Sequence, residues 1–138
     1  MPMKQDIKTE WLRRLRQPER MQGVGVLRDV EGEQCCLDLL MEIAVERGVQ
    51  SPPVLRTSER CYYYPDDSGF PESGLLTQAV VEWSGVSYSD PFVRLDDITR
   101  DKILSPSFEE DISLSGLNDA GGVNFTEIAD LIEADENI

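Results

Sequence analysis

Apolar residues recur at helical spacing only over short stretches of this chain, which limits its fold to short helices joined by turns and strands. The first stretch places four apolar side chains on one helical face: Ile7, Trp11, Leu12 and Leu15. Pro18 ends this stretch, because proline lacks the backbone N–H that a helix interior needs. We expect Trp11 to anchor the core rather than to bind a ligand.

Two further stretches repeat the pattern. The second predicted helix carries its apolar face on Leu37, Leu40, Met41 and Ala44. The third carries its apolar face on Leu76, Ala79, Val80 and Trp83. Gly48 and Gly85 follow these helices, and glycine readily takes the left-handed conformation that ends many helices.

The C-terminal segment has the clearest helix start. Asn124 is a favoured N-cap residue, and Glu127 stands three positions later, where its side chain can return to the cap. Val123 and Ile128 are spaced as the hydrophobic staple that often accompanies such a cap. A fourth helix is therefore predicted from this point.

The segments between the helices favour short strands. Residues 54–57, 61–64 and 92–95 have the composition of strands, and residues 23–36 are predicted to form a hairpin that turns at Glu31-Gly32. Together these elements predict an α+β fold. In it, three or four short helices pack on a small, mostly antiparallel sheet.

The length and composition predict a single domain over residues 1–138. Neither an internal repeat nor a second type of composition interrupts the chain. Residues 96–116 have weak periodicity and are predicted to be a surface insertion with one short helix. Residues 135–138 are predicted to be a frayed tail.

The charge of the chain is strongly negative and unevenly distributed. It carries 27 acidic and 13 basic residues and no histidine, for a net charge of −14. Residues 1–28 hold seven basic and three acidic side chains, so a basic first helix precedes an acidic remainder. Because a nucleic-acid backbone is bound through clustered lysine and arginine side chains, a chain this acidic is poorly suited to bind it directly. Without histidine, Ser-His and Cys-His catalysis and histidine-containing zinc sites are excluded.

The three cysteines favour core packing over chemistry. Their odd number lacks the spacing of a disulfide framework and fits a reducing cytosol. Cys35-Cys36 falls where a strand is expected to lead into a helix, a position that can activate a thiolate. However, the chain offers no histidine base and no Cys-x-x-Cys spacing. We predict no catalytic residue, no metal site and no cofactor.

Acidic residues are the main candidates for a binding surface. The predicted partner-binding residues are Asp96, Asp97, Glu109, Glu110, Asp111, Asp130 and Glu133. Neighbouring carboxylates on polar loops usually face water, and the spacing of an EF-hand calcium loop is absent. A solvated acidic face that binds no partner is the alternative interpretation of these residues.

An ordered series of short motifs resembles a group of small proteins encoded by bacteriophages and prophages. The motifs are Gln22-Gly23, Cys35-Cys36-Leu37, Leu117-Asn118-Asp119 and Phe125-x-x-Ile128-Ala129. The group usually has glycine after the Cys-Cys-Leu motif, whereas this chain has Asp38, and residues 94–113 have no counterpart. The resemblance implies a viral accessory protein in the cytoplasm of an infected bacterium. It brings no catalytic residues.

The leading functional hypothesis is a non-enzymatic, phage-encoded inhibitor of a bacterial host or defence complex of the CRISPR or restriction type. Its acidic surface would mimic nucleic acid and occupy a basic nucleic-acid-binding groove of the partner. The alternative is a small-molecule binder that sequesters a nucleotide defence signal, with a pocket built from Arg13, Arg14, Arg16, Tyr62, Tyr63 and Tyr64. A histidine-free enzyme using carboxylates and a metal stays open as a third hypothesis, and the oligomeric state is left open.

Overall fold

The computed structural model describes residues 3–66, 70–103 and 111–138. These residues form six α-helices: α1 (Gln5–Leu15), α2 (Cys36–Glu46), α3 (Gln78–Ser84), α4 (Asp97–Lys102), α5 (Leu114–Asp119) and α6 (Phe125–Ala134). The strands of the same residues are β1 (Val54–Arg56), β2 (Cys61–Pro65), β3 (Pro71–Glu72), β4 (Phe92–Arg94) and β5 (Asp111–Ser113). The predicted α+β class is confirmed, with more helices than the sequence indicates.

The strands form two small antiparallel sheets. Strands β1, β2 and β3 are adjacent in that order, with Leu55 opposite Tyr62 in the first pair. Strands β4 and β5 form the second sheet, with Val93 opposite Ile112. The antiparallel pairing confirms the predicted arrangement, but the strands are divided between two sheets rather than joined in one.

Helix α1 packs against both α2 and α6, and this helical layer holds most of the core. The predicted apolar faces are buried as expected in α1 and α6. Trp11 is fully buried, and its indole N–H donates to the carbonyl oxygen of Cys36 at 3.0 Å. Cys35 and Cys36 are buried in the same core, as the preference for packing predicts. In the described part of the chain, no helix is long and apolar enough to cross a bilayer.

The local signals for the ends of helices are confirmed. Asn124 and Glu127 form the reciprocal hydrogen bonds of a capping box at the start of α6. Gly85 ends α3 in the left-handed conformation, with φ of 87°. Gly48 has φ of 75° after α2. These elements depend on neighbouring residues alone, which explains why the sequence predicts them well.

The predicted hairpin over residues 23–36 is confirmed only near its turn, where the Asp29 N–H donates to the carbonyl oxygen of Glu33 at 3.0 Å and the Cys35 N–H to that of Leu27 at 2.8 Å. The segment makes isolated bridges, such as Arg28 with Gln34, instead of a continuous ladder. The Leu27 N–H donates to the carbonyl oxygen of Ser73 at 2.7 Å, so its hydrogen-bond acceptor lies in a distant segment. Gly25, with φ of 84°, interrupts the extended conformation that a strand requires.

The predicted surface insertion, residues 96–116, contributes side chains to the core from both of its described parts, residues 96–103 and 111–116. It contains α4, β5 and the start of α5, and residues 104–110 lie outside the described residues. Ile103 and Leu114 are buried among core side chains. The segment is therefore part of the packed domain at these points.

The predicted frayed tail, residues 135–138, is instead packed against α1. The Lys8 ammonium donates to the carbonyl oxygens of Asp135 at 3.1 Å and Ile138 at 3.3 Å, and Ile138 is buried. A cation at the C-terminal end of α6 is also favoured by the helix dipole. The sequence of the tail alone does not predict this pairing, because the partner, Lys8, lies near the other end of the chain.

Candidate functional site

The basic side chains of α1 are largely paired with carboxylates of the same molecule. Arg14 is buried and contacts Glu10 at 2.7 Å, Glu42 at 2.8 Å and also Glu46. Arg13 contacts Glu10 as well, at 2.6 Å. The basic first helix is thus neutralised where it faces α2, and it does not present a free cationic face there.

The pairing has a strong effect on the ionisation of Glu10. Hydrogen bonds from Arg13 and Arg14 lower the pKa of this carboxyl to about 2. Burial opposes its ionisation, but the two guanidinium groups outweigh that effect. Glu10 is therefore held as a carboxylate throughout the neutral range.

The six residues of the predicted nucleotide site take different partners. Arg13 and Arg14 face the carboxylates described above, and Arg16 contacts Asp130 at 2.8 Å and Glu133 at 3.2 Å on α6. The tyrosines of β2 contact other groups. The Tyr62 ring lies 5.7 Å from the guanidinium of Arg28, and the Tyr63 ring lies 4.5 Å from that of Arg56. The hydroxyl of Tyr64 donates to Asp38 inside the core.

A buried polar network around Asp38 is absent from the sequence-based predictions. Asp38 is fully buried on α2 and accepts hydrogen bonds from Gln34 at 2.6 Å and Arg28 at 3.0 Å, besides the one from Tyr64. Burial raises the pKa of Asp38, although the charge of Arg28 and these hydrogen bonds counteract the rise. An acidic residue within the apolar run at 37–41 was the signal that could have revealed the network.

The predicted acidic surface is divided between different positions. Glu109 and Glu110 lie outside the described residues. Asp97 and Asp111 are exposed on α4 and β5. Glu133 is exposed on α6, but it shares Arg16 with Asp130 and is thereby partly neutralised.

Asp96 and Asp130 are brought together along one groove. This acidic groove lies between residues 94–102 and residues 127–137, with helices α4 and α6 as its walls, and has a volume of about 770 Å³. Asp96 caps α4 by accepting from the Thr99 N–H at 2.7 Å. The hydrogen bonds from Thr99 lower the pKa of Asp96.

The lining of the acidic groove is dominated by carboxylates. The acidic side chains are Asp96, Glu127, Asp130, Asp135 and Glu136, and the basic ones are Arg94 and Lys102. Lys102 contacts Glu127 across the groove and lowers the pKa of that carboxyl. The groove therefore has an excess of negative charge at neutral pH, even after its internal pairs are counted.

The floor of the acidic groove is apolar. Leu95 and Leu131 lie there, buried to about 5% exposure, while the side chain of Ile98 is 72% exposed at its edge. An exposed isoleucine beside carboxylates can contact the apolar part of a basic segment. Among the residues that the structure describes, no group of three or more acidic or cysteine side chains is placed to hold a metal ion.

Comparison with known proteins places the chain in one family. No curated protein and no solved structure matches it. The sequence model of a family described as a domain of unknown function, DUF8296, matches residues 3–136. Because the match covers nearly the whole chain, the protein belongs to the family DUF8296.

Proposed function

We propose that this domain is a non-enzymatic binding protein whose acidic groove occupies the basic nucleic-acid-binding surface of a partner protein. One observation carries the proposal: five carboxylates and two basic side chains surround an apolar floor with an exposed Ile98 at its edge. Such a groove combines charge complementarity to lysine and arginine with an apolar contact. The first steers association, and the second adds affinity.

Internal ion pairs compensate only part of the negative charge of this groove. Arg16 compensates Asp130 and Glu133 in part, whereas Glu136 at the far end of the groove is exposed. The carboxylate of Asp96 is held in place by the hydrogen bond from the Thr99 N–H and is preorganised for a cation, whereas Glu127 is already paired with Lys102. Fixed charges bind with less loss of side-chain entropy than mobile ones.

The wider form of the proposal follows the resemblance to phage-encoded proteins. In that setting, the partner is a host or defence protein that normally holds nucleic acid, and the domain inhibits it by taking the place of the nucleic acid. The protein would act in the cytoplasm of the infected bacterium. The alternative nucleotide site receives less support, because its arginines and tyrosines take separate partners.

A capture experiment tests the proposal. The wild-type protein and the double variant Asp130→Lys/Glu136→Lys are immobilised and exposed to a bacterial lysate. The matched control is Glu31→Lys, because Glu31 is exposed in a turn and does not line the acidic groove. We expect nucleic-acid-binding proteins to be retained by the wild type and the control, and to be released by salt and by added duplex DNA.

The double variant should lose these proteins, because it reverses two charges of the acidic groove. Circular dichroism verifies that the double variant is folded. Equal capture by all three proteins, or capture that duplex DNA does not compete, would contradict the proposal.

A further inference from the structure

The acidic groove continues into a second, smaller cavity. Asp135 and Asn137 line both spaces, so the two cavities are adjacent. The second cavity has a volume of about 180 Å³, and we call it the aromatic pocket. The residues that matter in its lining are Tyr88, Pro91, Phe92, Asp111, Asp135 and Asn137.

Two exposed aromatic rings form one wall of the aromatic pocket. Tyr88 is 62% exposed and Phe92 is 53% exposed. Their ring centroids are 6.3 Å apart, and the rings are nearly perpendicular, at 89°. The edge-to-face arrangement is a favourable one for an aromatic pair. Because both rings are more than half exposed, the pair is available to a ligand.

Carboxylates stand beside these rings. Asp135 accepts from the backbone N–H of Arg94 at 3.0 Å and from that of Asn137 at 2.9 Å, which fixes its orientation. Asp111 is exposed on β5, the strand that pairs with the strand of Phe92. A guanidinium group is attracted both to an aromatic face and to a carboxylate, and the aromatic pocket offers both.

We propose that the aromatic pocket binds an arginine side chain of the same partner segment that occupies the acidic groove. This inference rests on the proposed function and specifies the partner's chemistry. The planar guanidinium stacks on an aromatic face and pairs with carboxylates, whereas the lysine ammonium is a more strongly hydrated point charge. The pocket therefore selects arginine over lysine.

The distance between the two sites sets the spacing in the partner. Phe92 and Asp96 are four residues apart in a largely extended segment, which spans about 13 Å. A partner segment that reaches both sites in an extended conformation carries its pocket arginine about four positions from the residues that lie at the Asp96 end of the acidic groove. The expected segment has one apolar side chain against Ile98, a basic residue beside it, and an arginine at that spacing.

A peptide of defined sequence tests this inference by calorimetry. The probe is the capped hexapeptide Arg-Leu-Ser-Gly-Ser-Arg, and its counterpart has lysine only at the last position. We expect the wild type to bind the arginine form about fivefold more tightly than the lysine form. Tyr88→Ala/Phe92→Ala should remove this preference. Phe70→Ala, which truncates another exposed aromatic, should keep it.

The variants separate the two proposals. If Asp130→Lys/Glu136→Lys weakens binding but Tyr88→Ala/Phe92→Ala retains the preference for arginine, the aromatic pocket is overturned and the acidic groove stands. Failure of the wild type to bind either peptide would overturn both. Sedimentation adds one further outcome: a dimer that Tyr88→Ala/Phe92→Ala dissociates would identify a second copy of this chain as the occupant and overturn the inference.

Discussion

The hydroxyl of Tyr64 donates to Oδ1 of Asp38 at 2.5 Å, and this bond joins β2 to α2 inside the core. Gln34 and Arg28 donate to the other oxygen of the same carboxylate. A buried carboxylate is stable only when its oxygens are satisfied in this way. The three-stranded sheet is thus attached to the helical layer by a polar network as well as by apolar packing.

Removal of the Tyr64 hydroxyl tests the importance of this network. We expect Tyr64→Phe to lower the free energy of unfolding by about 1–3 kcal/mol, because one oxygen of a buried carboxylate loses its donor. Urea denaturation followed by circular dichroism measures the change. Tyr63→Phe, on the adjacent and partly exposed position of β2, should have little effect. Equal losses from the two variants would show that the bond to Asp38 is not important for stability.

The Glu10 carboxylate predicts a pH dependence of stability. Its pKa is about 2 in the folded protein, below the usual value of about 4.3 for an unfolded chain. Its ion pairs therefore stabilise the fold fully above the unfolded pKa, and the contribution is lost as the pH falls towards 2. Glu10→Gln should have a lower free energy of unfolding than the wild type at pH 7. The difference between the two proteins should shrink as the pH falls below 5.

Denaturation curves at several pH values between 3 and 7 measure this difference. Glu31→Gln, in the exposed turn, is the control and should match the wild type throughout. A difference between wild type and Glu10→Gln that stays constant with pH would mean that ionisation of Glu10 is not the cause.

Gly122, in the turn before α6, lies directly against the end of α4. A Cβ atom at this position would collide with the carbonyl oxygen of Lys102 at the end of α4, and its φ is 84°. At Gly25, φ is also 84°, but a Cβ atom would meet no neighbour within 4 Å. The two glycines therefore separate the effect of backbone strain from that of close approach.

We expect Gly25→Ala to lower the free energy of unfolding by about 1–2 kcal/mol, from backbone strain alone. Gly122→Ala should lower the free energy of unfolding by more than Gly25→Ala does, because the end of α4 must also move away from residue 122. Urea denaturation compares the two. Similar losses would contradict the close approach of Gly122 to Lys102.

The features that the sequence predicts are those determined locally. The capping box of Asn124 and Glu127 needs only four consecutive residues, and the apolar face of α1 needs only its own periodicity. Local signals fail where a distant partner decides the structure. The segment 23–36 turns back on itself as predicted, but it makes isolated bridges instead of a ladder, and the Leu27 N–H donates to the carbonyl oxygen of Ser73 in a distant segment.

The candidate site was predictable only in part for the same reason. Asp96 and Asp130 are in the predicted acidic set and do line one groove. Their proximity arises from the packing of α6 against β4, the strand just before Asp96, and the contact between Lys102 and Glu127 spans 25 residues of sequence. Nor does any local pattern reveal that Arg16 pairs with Asp130. Charge counts alone therefore overstate the free acidic surface.

A ¹H–¹⁵N correlation titration of the labelled protein with the peptide Arg-Leu-Ser-Gly-Ser-Arg tests most directly whether the acidic groove is the binding site. We predict that the largest amide shifts fall in residues 95–98 and 130–137, the two sides of the acidic groove. These shifts should weaken as salt is added. Shifts confined to the β1–β3 sheet, or no shifts at all, would contradict the assignment of the acidic groove as the binding site.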